Sequence, residues 1–331
     1  MSVRIPIAEA ESIAGTALMR AGTGEAQAHS VARALVAAEA SGQAGHGLRR
    51  LVTYAAQVRS GKVDGSAEPS AELTRFALLS IDARQGFAFP ALDLALERLP
   101  DMAKTSGVAC AGIRRSHHAG MLGWTVERFA ERGVAALMLA NSPGAMAPWG
   151  GRRPLLGTNP IAFAAPLAGS EPLVIDLSLS AVARGKVMAA KQRGETLPAG
   201  WALDRDGAPT SDPDAAMAGT MAPAGGAKGA ALALMVELMS AGLTGANFAF
   251  QASSLFDDKG PPPELGQWIL AMDPGAFGGL GTVQRFAELT SEIEAEDGAR
   301  VPGRRSQANR HAARKTGLAL DEDLLASIRA L

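Results

Sequence analysis

Three of the five histidines in this chain of 331 residues lie in two short clusters that are flanked by glycine. His46 lies in the sequence Gly-His-Gly at residues 45–47, and His118 lies in Ser-His-His-Ala-Gly at residues 116–120. Histidine exchanges a proton near neutral pH without much tuning, and a neighbouring glycine leaves room for a ligand near the backbone. The clusters predict a proton-transfer site. The alternative is that both are surface loops that contain histidine.

An arginine and the single tyrosine of the chain continue the pattern of the first cluster. Arg50 follows His46 by four residues, and Tyr54 follows Arg50 by four. Residues four apart share one face of a helix, and arginine pairs with a carboxylate through two parallel hydrogen bonds. This stripe predicts a site for a small anionic substrate. In the alternative interpretation, Tyr54 packs in the core and Arg50 is solvated.

A glycine-rich turn leads into a helix that is predicted to end near residue 242. Residues 223–229 read Pro-Ala-Gly-Gly-Ala-Lys-Gly. Backbone N–H groups at a helix N-terminus favour anions, and Lys228 adds a full positive charge. The turn predicts a phosphate cradle, or else an ordinary glycine turn before a buried helix.

Asp176 follows the apolar run of residues 173–175, which is predicted to be a strand. A carboxylate at the end of a strand can orient a histidine for proton transfer. Aspartate is equally suited to cap the next helix, because its side chain accepts hydrogen bonds from the first backbone N–H groups. The sequence leaves both roles of Asp176 open.

Composition and missing motifs argue against several classes of function. The net charge of −1 gives no general attraction to nucleic acid or acidic membranes. Neither a Rossmann glycine fingerprint after a strand nor a P-loop motif occurs, and no histidine or cysteine pattern has zinc spacing, so no metal site is predicted. The single cysteine, Cys110, and an N-terminus without a signal-peptide pattern lead us to expect a cytoplasmic protein.

Helical patterns at both ends of the chain surround a strand-rich middle. Apolar residues recur at helical spacing in residues 1–60 and again in residues 306–331, and several buried strands are predicted between them. We therefore expect an α/β protein with two domains. Their predicted ranges are residues 1–74 with 285–331 for a discontinuous helical domain, and residues 75–284 for a central α/β domain.

These motifs together resemble the malate/L-lactate dehydrogenase family of non-Rossmann NAD(P)-dependent oxidoreductases. The family includes sulfolactate dehydrogenase, ureidoglycolate dehydrogenase, diketogulonate reductase and Δ1-piperideine-2-carboxylate reductase. The resemblance covers nearly the whole chain. The matching stretches are residues 45–51, 116–120, 147–151, 157–166, 175–180, 225–229 and 301–303.

The resemblance implies a central, largely antiparallel sheet that binds NAD or NADP, a helical lobe built from both termini, and a homodimer with sites near the subunit interface. His118 falls on the family's catalytic histidine, and His46 falls on a second histidine that is the proton donor in some members. The predicted site residues are His118, His46 and Asp176 for catalysis, Arg50 and Tyr54 for substrate binding, and Ser142, Asp176, Leu177, Ser178, Lys228 and Arg304 for cofactor binding.

The chain departs from the family pattern at three places near the predicted site. One is the lead-in to the second histidine cluster, where Arg114 and Arg115 replace more neutral residues. The family usually has serine where this chain has Gly45, so a hydroxyl beside His46 is lost. The usual Pro-Gly-Glu reads Pro-Gly-Arg at residues 302–304, so Arg304 either touches a cofactor phosphate or lies on the surface.

The resemblance predicts an NAD(P)H-dependent reductase of small 2-oxo acids or, in reverse, a 2-hydroxy acid dehydrogenase of the malate, lactate or sulfolactate type. A histidine would protonate the oxygen while an arginine holds the carboxylate. The alternatives are reduction of a cyclic imine, Δ1-piperideine-2-carboxylate or Δ1-pyrroline-2-carboxylate, and a cofactor-binding protein without turnover. Arg49, Arg50, Arg114 and Arg115 flank the histidine clusters, and a second arginine at the site would favour a dianionic 2-oxo acid.

Overall fold

A seven-stranded sheet forms the centre of the computed structural model, which describes residues 2–331. The strands are β1 Ser2–Ile5, β2 Ser70–Arg75, β3 Leu78–Asp82, β4 Val108–Ser116, β5 Ala135–Ala140, β6 Ile161–Leu167, β7 Ser170–Leu177, β8 Ala202–Leu203, β9 Pro209–Thr210, β10 Thr220–Met221, β11 Leu265–Met272 and β12 Leu318–Asp321. The helices are α1 Ile7–Arg20, α2 Glu25–Ala40, α3 Arg50–Arg59, α4 Ala88–Ser106, α5 Leu122–Glu131, α6 Arg184–Arg193, α7 Pro213–Ala218, α8 Ala227–Glu237, α9 Pro274–Gly278, α10 Thr282–Ala295, α11 Arg304–Thr316 and α12 Glu322–Arg329.

The central sheet has the strand order β2-β3-β4-β11-β5-β6-β7. Its neighbouring strands pair antiparallel except β3 and β4, which are parallel. A smaller three-stranded sheet has the order β10-β8-β9. The prediction of an α/β fold with a largely antiparallel central sheet is therefore confirmed.

Both faces of the central sheet are covered, because its strands carry apolar side chains on alternate sides. Ala136 and Met138 of β5 pack into the core that α4 and α5 share, whereas Leu139 packs into a second core with Val236 of α8. A single π-helical turn extends α8 across β11. A Cβ atom on Gly266 of β11 would lie 1.8 Å from the carbonyl oxygen of Ser240, so only glycine permits this close approach.

The two ends of the chain meet in a short sheet of their own. β1 pairs antiparallel with β12 over Ser2–Ile5 and Leu318–Asp321. The sequence predicts one continuous helical segment over residues 306–331, and β12 interrupts it, because Leu318 and Leu320 are needed to cover the terminal core. Over residues 2–331, no helix is both long and apolar enough to span a bilayer.

The division into a terminal helical domain and a central domain stays a prediction. Its first boundary, after residue 74, falls within β2, which pairs with β3 at the edge of the central sheet. Its second boundary, before residue 285, falls within α10, which packs against β6. The elements at both boundaries thus contact the central sheet.

Candidate active site

The two glycine-flanked histidine clusters come together at one end of the central sheet. His117 and His118 directly follow β4, and His46 closes a 3-10 turn at Ala44–His46 just before α3. The ring centroids of His46 and His118 lie 5.1 Å apart, and the ring planes are inclined by only 18°. The two clusters therefore form one site, as the proton-transfer interpretation requires.

Two polar contacts position these clusters. The carboxylate of Glu39 on α2 accepts a hydrogen bond from the backbone N–H of Leu48 at 2.9 Å. A Cβ atom on Gly47 would lie 2.1 Å from the same carboxylate, so a larger residue here would displace the side chain of Glu39. The side-chain amide of Gln267 on β11 donates to the carbonyl oxygen of His117 at 3.2 Å. The first cluster is thus fixed to α2 and the second to β11.

Tyr54 is completely buried, and its hydroxyl oxygen lies 2.9 Å from Nδ1 of His118. Desolvation raises the pKa of Tyr54 to about 12, so the phenol stays protonated. The hydrogen bond occupies Nδ1 and leaves Nε2 of His118 as the nitrogen available for a reacting oxygen. The sequence predicts a substrate contact for Tyr54. In the structure its hydroxyl contacts His118, and the substrate contact stays a prediction.

The guanidinium of Arg50 lies beside the histidines without a neutralising carboxylate among its contacts. Its Nε donates to the carbonyl oxygen of Gly45 at 2.8 Å, and a terminal nitrogen reaches the carbonyl oxygen of Leu255 at 3.5 Å. Its central carbon lies 5.0 Å from the ring centroid of Phe256. No atom lies within 4 Å of a Cβ position on Gly45, so space is open beside His46. A free positive charge facing open space suits the carboxylate of a small substrate.

Burial and the charge of Arg50 keep the three imidazoles neutral. Desolvation and then the charge of Arg50 lower the pKa of His46 to about 4. Desolvation, Arg50 and Lys62 lower the pKa of His117 to about 3. The pKa of His118 is also far below its ordinary value, through desolvation and then through Arg50 and the neighbouring histidines. Near neutral pH the site therefore presents neutral imidazoles next to the guanidinium of Arg50.

Asp176 caps a helix. Its observed hydrogen bond goes to the backbone of that helix and not to a histidine ring. Its Oδ2 accepts the backbone N–H of Gly123, in the first turn of α5, at 2.7 Å. Desolvation raises the pKa of Asp176 to about 6, and the N–H of Gly123 opposes this. Of the two roles left open by the sequence, the cap is observed, although on α5 and not on the next helix. The side chain that orients His118 is Tyr54.

The predicted cofactor residues Ser142 and Ser178 lie on either side of Thr158. The hydroxyl of Ser142 accepts the backbone N–H of Thr158 at 3.0 Å. The hydroxyl of Ser178 donates to the carbonyl oxygen of Thr158 at 3.3 Å and lies 2.8 Å from that of Ser180. Leu177, at the end of β7, is 45% exposed beside these hydroxyls. The loops that follow β5 and β7, together with the loop that precedes β6, thus form one polar surface.

A buried carboxylate that the sequence analysis does not identify holds this surface together. Glu237 of α8 accepts hydrogen bonds from the side-chain amides of Asn141 at 3.0 Å and Asn159 at 2.7 Å, and from the backbone N–H of Ala249 at 2.6 Å. Asn141 precedes Ser142, and Asn159 follows Thr158. Three N–H donors compensate for burying the carboxylate.

The glycine turn lies next to the same polar surface. The backbone N–H of Ala224 donates to the carbonyl oxygen of Leu179 at 2.8 Å, which places the start of α8 beside Ser178. Gly225 has a positive φ of 68°, and a Cβ atom on it would meet nothing within 4 Å. Lys228 is exposed in the first turn of α8. Open space, free N–H groups and an ammonium group fit the phosphates of a nicotinamide cofactor.

Arg304 lies at the start of α11. Its Nε donates to the carboxylate of Glu294 at 2.8 Å, and a terminal nitrogen approaches the carbonyl oxygen of Glu171 on β7 at 3.4 Å. A Cβ atom on Gly303 would lie 2.8 Å from the carbonyl oxygen of Val174, so this turn touches the strand that ends at Leu177. Arg304 is therefore engaged with Glu294, and its cofactor role stays a prediction. Among residues 2–331, no three His, Cys, Asp or Glu side chains are placed to share a metal ion.

Comparison with known proteins identifies the family. The family model described as malate/L-lactate dehydrogenase matches residues 5–329. A (2R)-3-sulfolactate dehydrogenase (NADP(+)) from Chromohalobacter salexigens is 50% identical over 330 residues, covering 100% of this chain and 98% of that protein. A Δ1-pyrroline-2-carboxylate/Δ1-piperideine-2-carboxylate reductase from Pseudomonas putida is 40% identical over 334 residues, covering 99% and 97%. The crystal structure of the Δ1-piperideine-2-carboxylate reductase from Pseudomonas syringae pv. tomato superposes with a TM-score of 0.94 at 38% identity, covering 99% of both chains. The resemblance drawn from the sequence is confirmed, and the chain belongs to the malate/L-lactate dehydrogenase family.

Proposed function

We propose that this chain is an NADPH-dependent reductase of a small 2-oxo acid and catalyses the reverse oxidation of the 2-hydroxy acid. The observation that carries the proposal is the group formed by Arg50, His118 and Tyr54, in which a free guanidinium stands beside an oriented imidazole. The general class of enzyme, a nicotinamide-dependent oxidoreductase, agrees with the family and with the names of its relatives.

Each side chain of this group has a distinct task in the proposed reaction. Arg50 binds the substrate carboxylate and so sets the 2-oxo group beside the imidazoles. Nε2 of His118 gives a proton to the 2-oxygen during reduction and takes it back during oxidation, while Tyr54 holds the ring through Nδ1. A nicotinamide cofactor, when bound, would supply or accept the hydride at the 2-carbon. Ser142, Ser178 and Lys228 are the residues proposed to hold the cofactor.

The substrate is tested by following the loss of reduced-cofactor absorbance with NADPH and NADH. We expect turnover with 3-sulfopyruvate, oxaloacetate or pyruvate, and a higher kcat/KM with NADPH than with NADH, because the sulfolactate dehydrogenase relative is named for NADP(+). No turnover with any 2-oxo acid, together with tight binding of NADPH, would contradict the proposal and leave a cofactor-binding protein.

Reduction of a cyclic imine is the second candidate. It is favoured by the relative from Pseudomonas putida and by the structural match to the enzyme from Pseudomonas syringae, both named as imine reductases. The same site would serve, because Arg50 would bind the ring carboxylate and His118 would face the imine nitrogen. A larger kcat/KM for Δ1-pyrroline-2-carboxylate than for any 2-oxo acid would select this function.

The two arginines next to the second histidine cluster, which the sequence offers for selecting a dianionic substrate, both contact a carboxylate of the protein. Arg115 pairs with the carboxylate of Asp82 at 2.8 Å, and Arg114 lies 3.6 Å from the same carboxylate. Both guanidinium groups thus pair with a carboxylate of β3. These ion pairs give no support to a preference for sulfopyruvate over pyruvate that is set by Arg114 and Arg115.

Lys228→Ala is expected to raise the KM for NADPH by roughly 10 to 150-fold, because one charge-assisted contact to a phosphate is worth about 1.5–3 kcal/mol. The KM for the 2-oxo acid should change little. Steady-state kinetics with each substrate varied in turn measure both constants. Lys104→Ala, at an exposed position near the end of α4, is the matched control, and an unchanged KM for NADPH in Lys228→Ala would make the glycine turn purely structural.

We also propose that the protein acts as a homodimer in the cytoplasm. The family resemblance implies the dimer, and apolar side chains exposed along α8 and beyond it supply a surface for a second copy. Leu234, Leu238 and Leu243 are 51%, 54% and 72% exposed. Light scattering should give twice the chain mass, and Leu238→Glu should yield monomers. The requirement for a nicotinamide cofactor supports the cytoplasmic location.

A further inference from the structure

A buried lysine outside the predicted site binds the same loop that contacts Arg50. Lys62 is only 1% exposed. Its ammonium group donates to the carbonyl oxygens of Ser254 at 2.7 Å, Lys259 at 2.6 Å and Asp257 at 3.1 Å. The carboxylate of Asp257 lies 3.3 Å away and is itself 45% exposed. The loop of residues 254–259 therefore surrounds the ammonium group with backbone carbonyl oxygens.

Burying the ammonium group of Lys62 costs free energy that its hydrogen bonds must offset. Removing a charged amine from water is strongly unfavourable, and a buried lysine persists only when its donors are satisfied. All three N–H donors of Lys62 find backbone carbonyl oxygens of one loop. The partial ion pair with Asp257 faces solvent and contributes little. The main effect of the lysine is thus to fix the backbone of residues 254–259.

The same loop makes two of the contacts of Arg50. The carbonyl oxygen of Leu255 accepts from the guanidinium at 3.5 Å, and the ring of Phe256 lies 5.0 Å from its central carbon. Gln57, which is completely buried on α3, donates to the carbonyl oxygen of Asp257 at 2.9 Å and so ties the loop to the helix that carries Arg50. The loop, α3 and Lys62 form one unit around the guanidinium.

We propose that Lys62 is a positioning residue for substrate binding: by holding the backbone of residues 254–259, it keeps Leu255 and Phe256 against Arg50 and so fixes the guanidinium next to the histidines. The inference rests on the proposed role of Arg50 in binding the substrate carboxylate. Arginine binds a carboxylate well only in a fixed planar orientation, because two parallel hydrogen bonds must form together. A loosened loop leaves the charge in place but removes this orientation.

Lys62→Ala is the direct test, with chemical rescue as its specific readout. We expect the KM for the 2-oxo acid to rise roughly 10-fold, as for the loss of one charge-assisted contact, while the KM for NADPH stays within about twofold. Propylammonium supplies the three carbons and the ammonium group that alanine lacks, so adding it should restore the KM. An equal ionic strength of sodium chloride should not. Lys259→Ala keeps the carbonyl oxygen but loses the exposed side chain of the same loop, and it should behave like the wild type.

A double variant separates this inference from the proposed function. If Lys62 acts through Arg50, then Arg50→Gln with Lys62→Ala should raise the KM no more than Arg50→Gln alone. Additive effects, or no effect of Lys62→Ala on the KM, would overturn the inference. If Arg50→Gln itself leaves the KM unchanged, the proposed function of Arg50 fails instead. Should Lys62→Ala not fold, Lys62→Met preserves the apolar stem, and a wild-type KM in that variant would overturn the inference equally.

Discussion

His118→Ala is expected to lower turnover by roughly 10² to 10⁴-fold, the usual loss when a positioned general acid or base is removed. The imidazole is fixed by Tyr54 at Nδ1, so its other nitrogen is available to the reacting oxygen. Binding of NADPH, measured by fluorescence titration, should remain close to that of the wild type, because the proposed phosphate contacts lie at α8. The variant therefore separates chemistry from cofactor binding.

The control for this variant is His311→Ala, since His311 is exposed on α11 and its ring pairs with the carboxylate of Glu171 at 3.0 Å. It should retain wild-type turnover. Near wild-type turnover in His118→Ala would remove this residue from the mechanism. The stacked neighbour His46 would then be the proton donor, and His46→Ala should show the large loss instead.

The pH dependence of the wild-type enzyme tests the same assignment. The pKa of His118 is well below its ordinary value of 6.5, because of desolvation and the charge of Arg50. Oxidation of the 2-hydroxy acid needs the neutral imidazole, so its kcat/KM should stay level as pH falls through 6.5 and decline only at lower pH. Reduction needs the protonated imidazole, so its kcat/KM should rise as the pH is lowered toward the pKa. A decline of oxidation centred near 6.5 would contradict the lowered pKa.

Much of the fold and of the site is local enough to be predicted from the sequence. The strands β4, β5 and β11 and the helices α4 and α5 follow from apolar runs and helical periodicity. The spacing of His46, Arg50 and Tyr54 places them on or just before one helix, and α3 indeed begins at Arg50. Near the second cluster, Gly120 has a positive φ of 66° and lies against the ring of Phe89, so a side chain there would be strained.

The remaining parts depend on contacts between residues far apart in the chain. Lys62 stands in a sequence typical of an exposed turn, and only the return of residues 254–259 buries it. Glu237 interrupts an apolar stretch without any sign that Asn141 and Asn159 will surround it. The strands β1 and β12 form only because the two chain ends meet. No local pattern contains this information.

Asp176 shows how a residue type can be read correctly and its partner missed. A carboxylate at the end of a strand does accept a strong hydrogen bond, as expected. Its donor is the backbone of Gly123 on α5, because β7 lies beside that helix. The orienting group for His118 is instead the phenol of Tyr54, whose burial also fitted the alternative prediction of a core residue.

Arg50→Gln is expected to raise the KM for the 2-oxo acid by roughly 10 to 150-fold, because a charge-assisted pair with the substrate carboxylate is worth about 1.5–3 kcal/mol. The KM for NADPH should stay close to the wild-type value. Arg50→Lys keeps the charge but loses the planar fork, so it should recover only part of the affinity. Steady-state kinetics with the 2-oxo acid varied at saturating NADPH measure the effect.

The same substitution should also raise the pKa of the neighbouring histidines, because Arg50 lowers the pKa of His46, His117 and His118. The acidic decline of oxidation should therefore move to higher pH in Arg50→Gln. Arg49→Gln, at the exposed neighbouring position, is the matched control and should leave both the KM and the pH profile unchanged. A wild-type KM in Arg50→Gln would show that another group binds the carboxylate, and an unshifted pH profile would show that Arg50 does not set the protonation of the site.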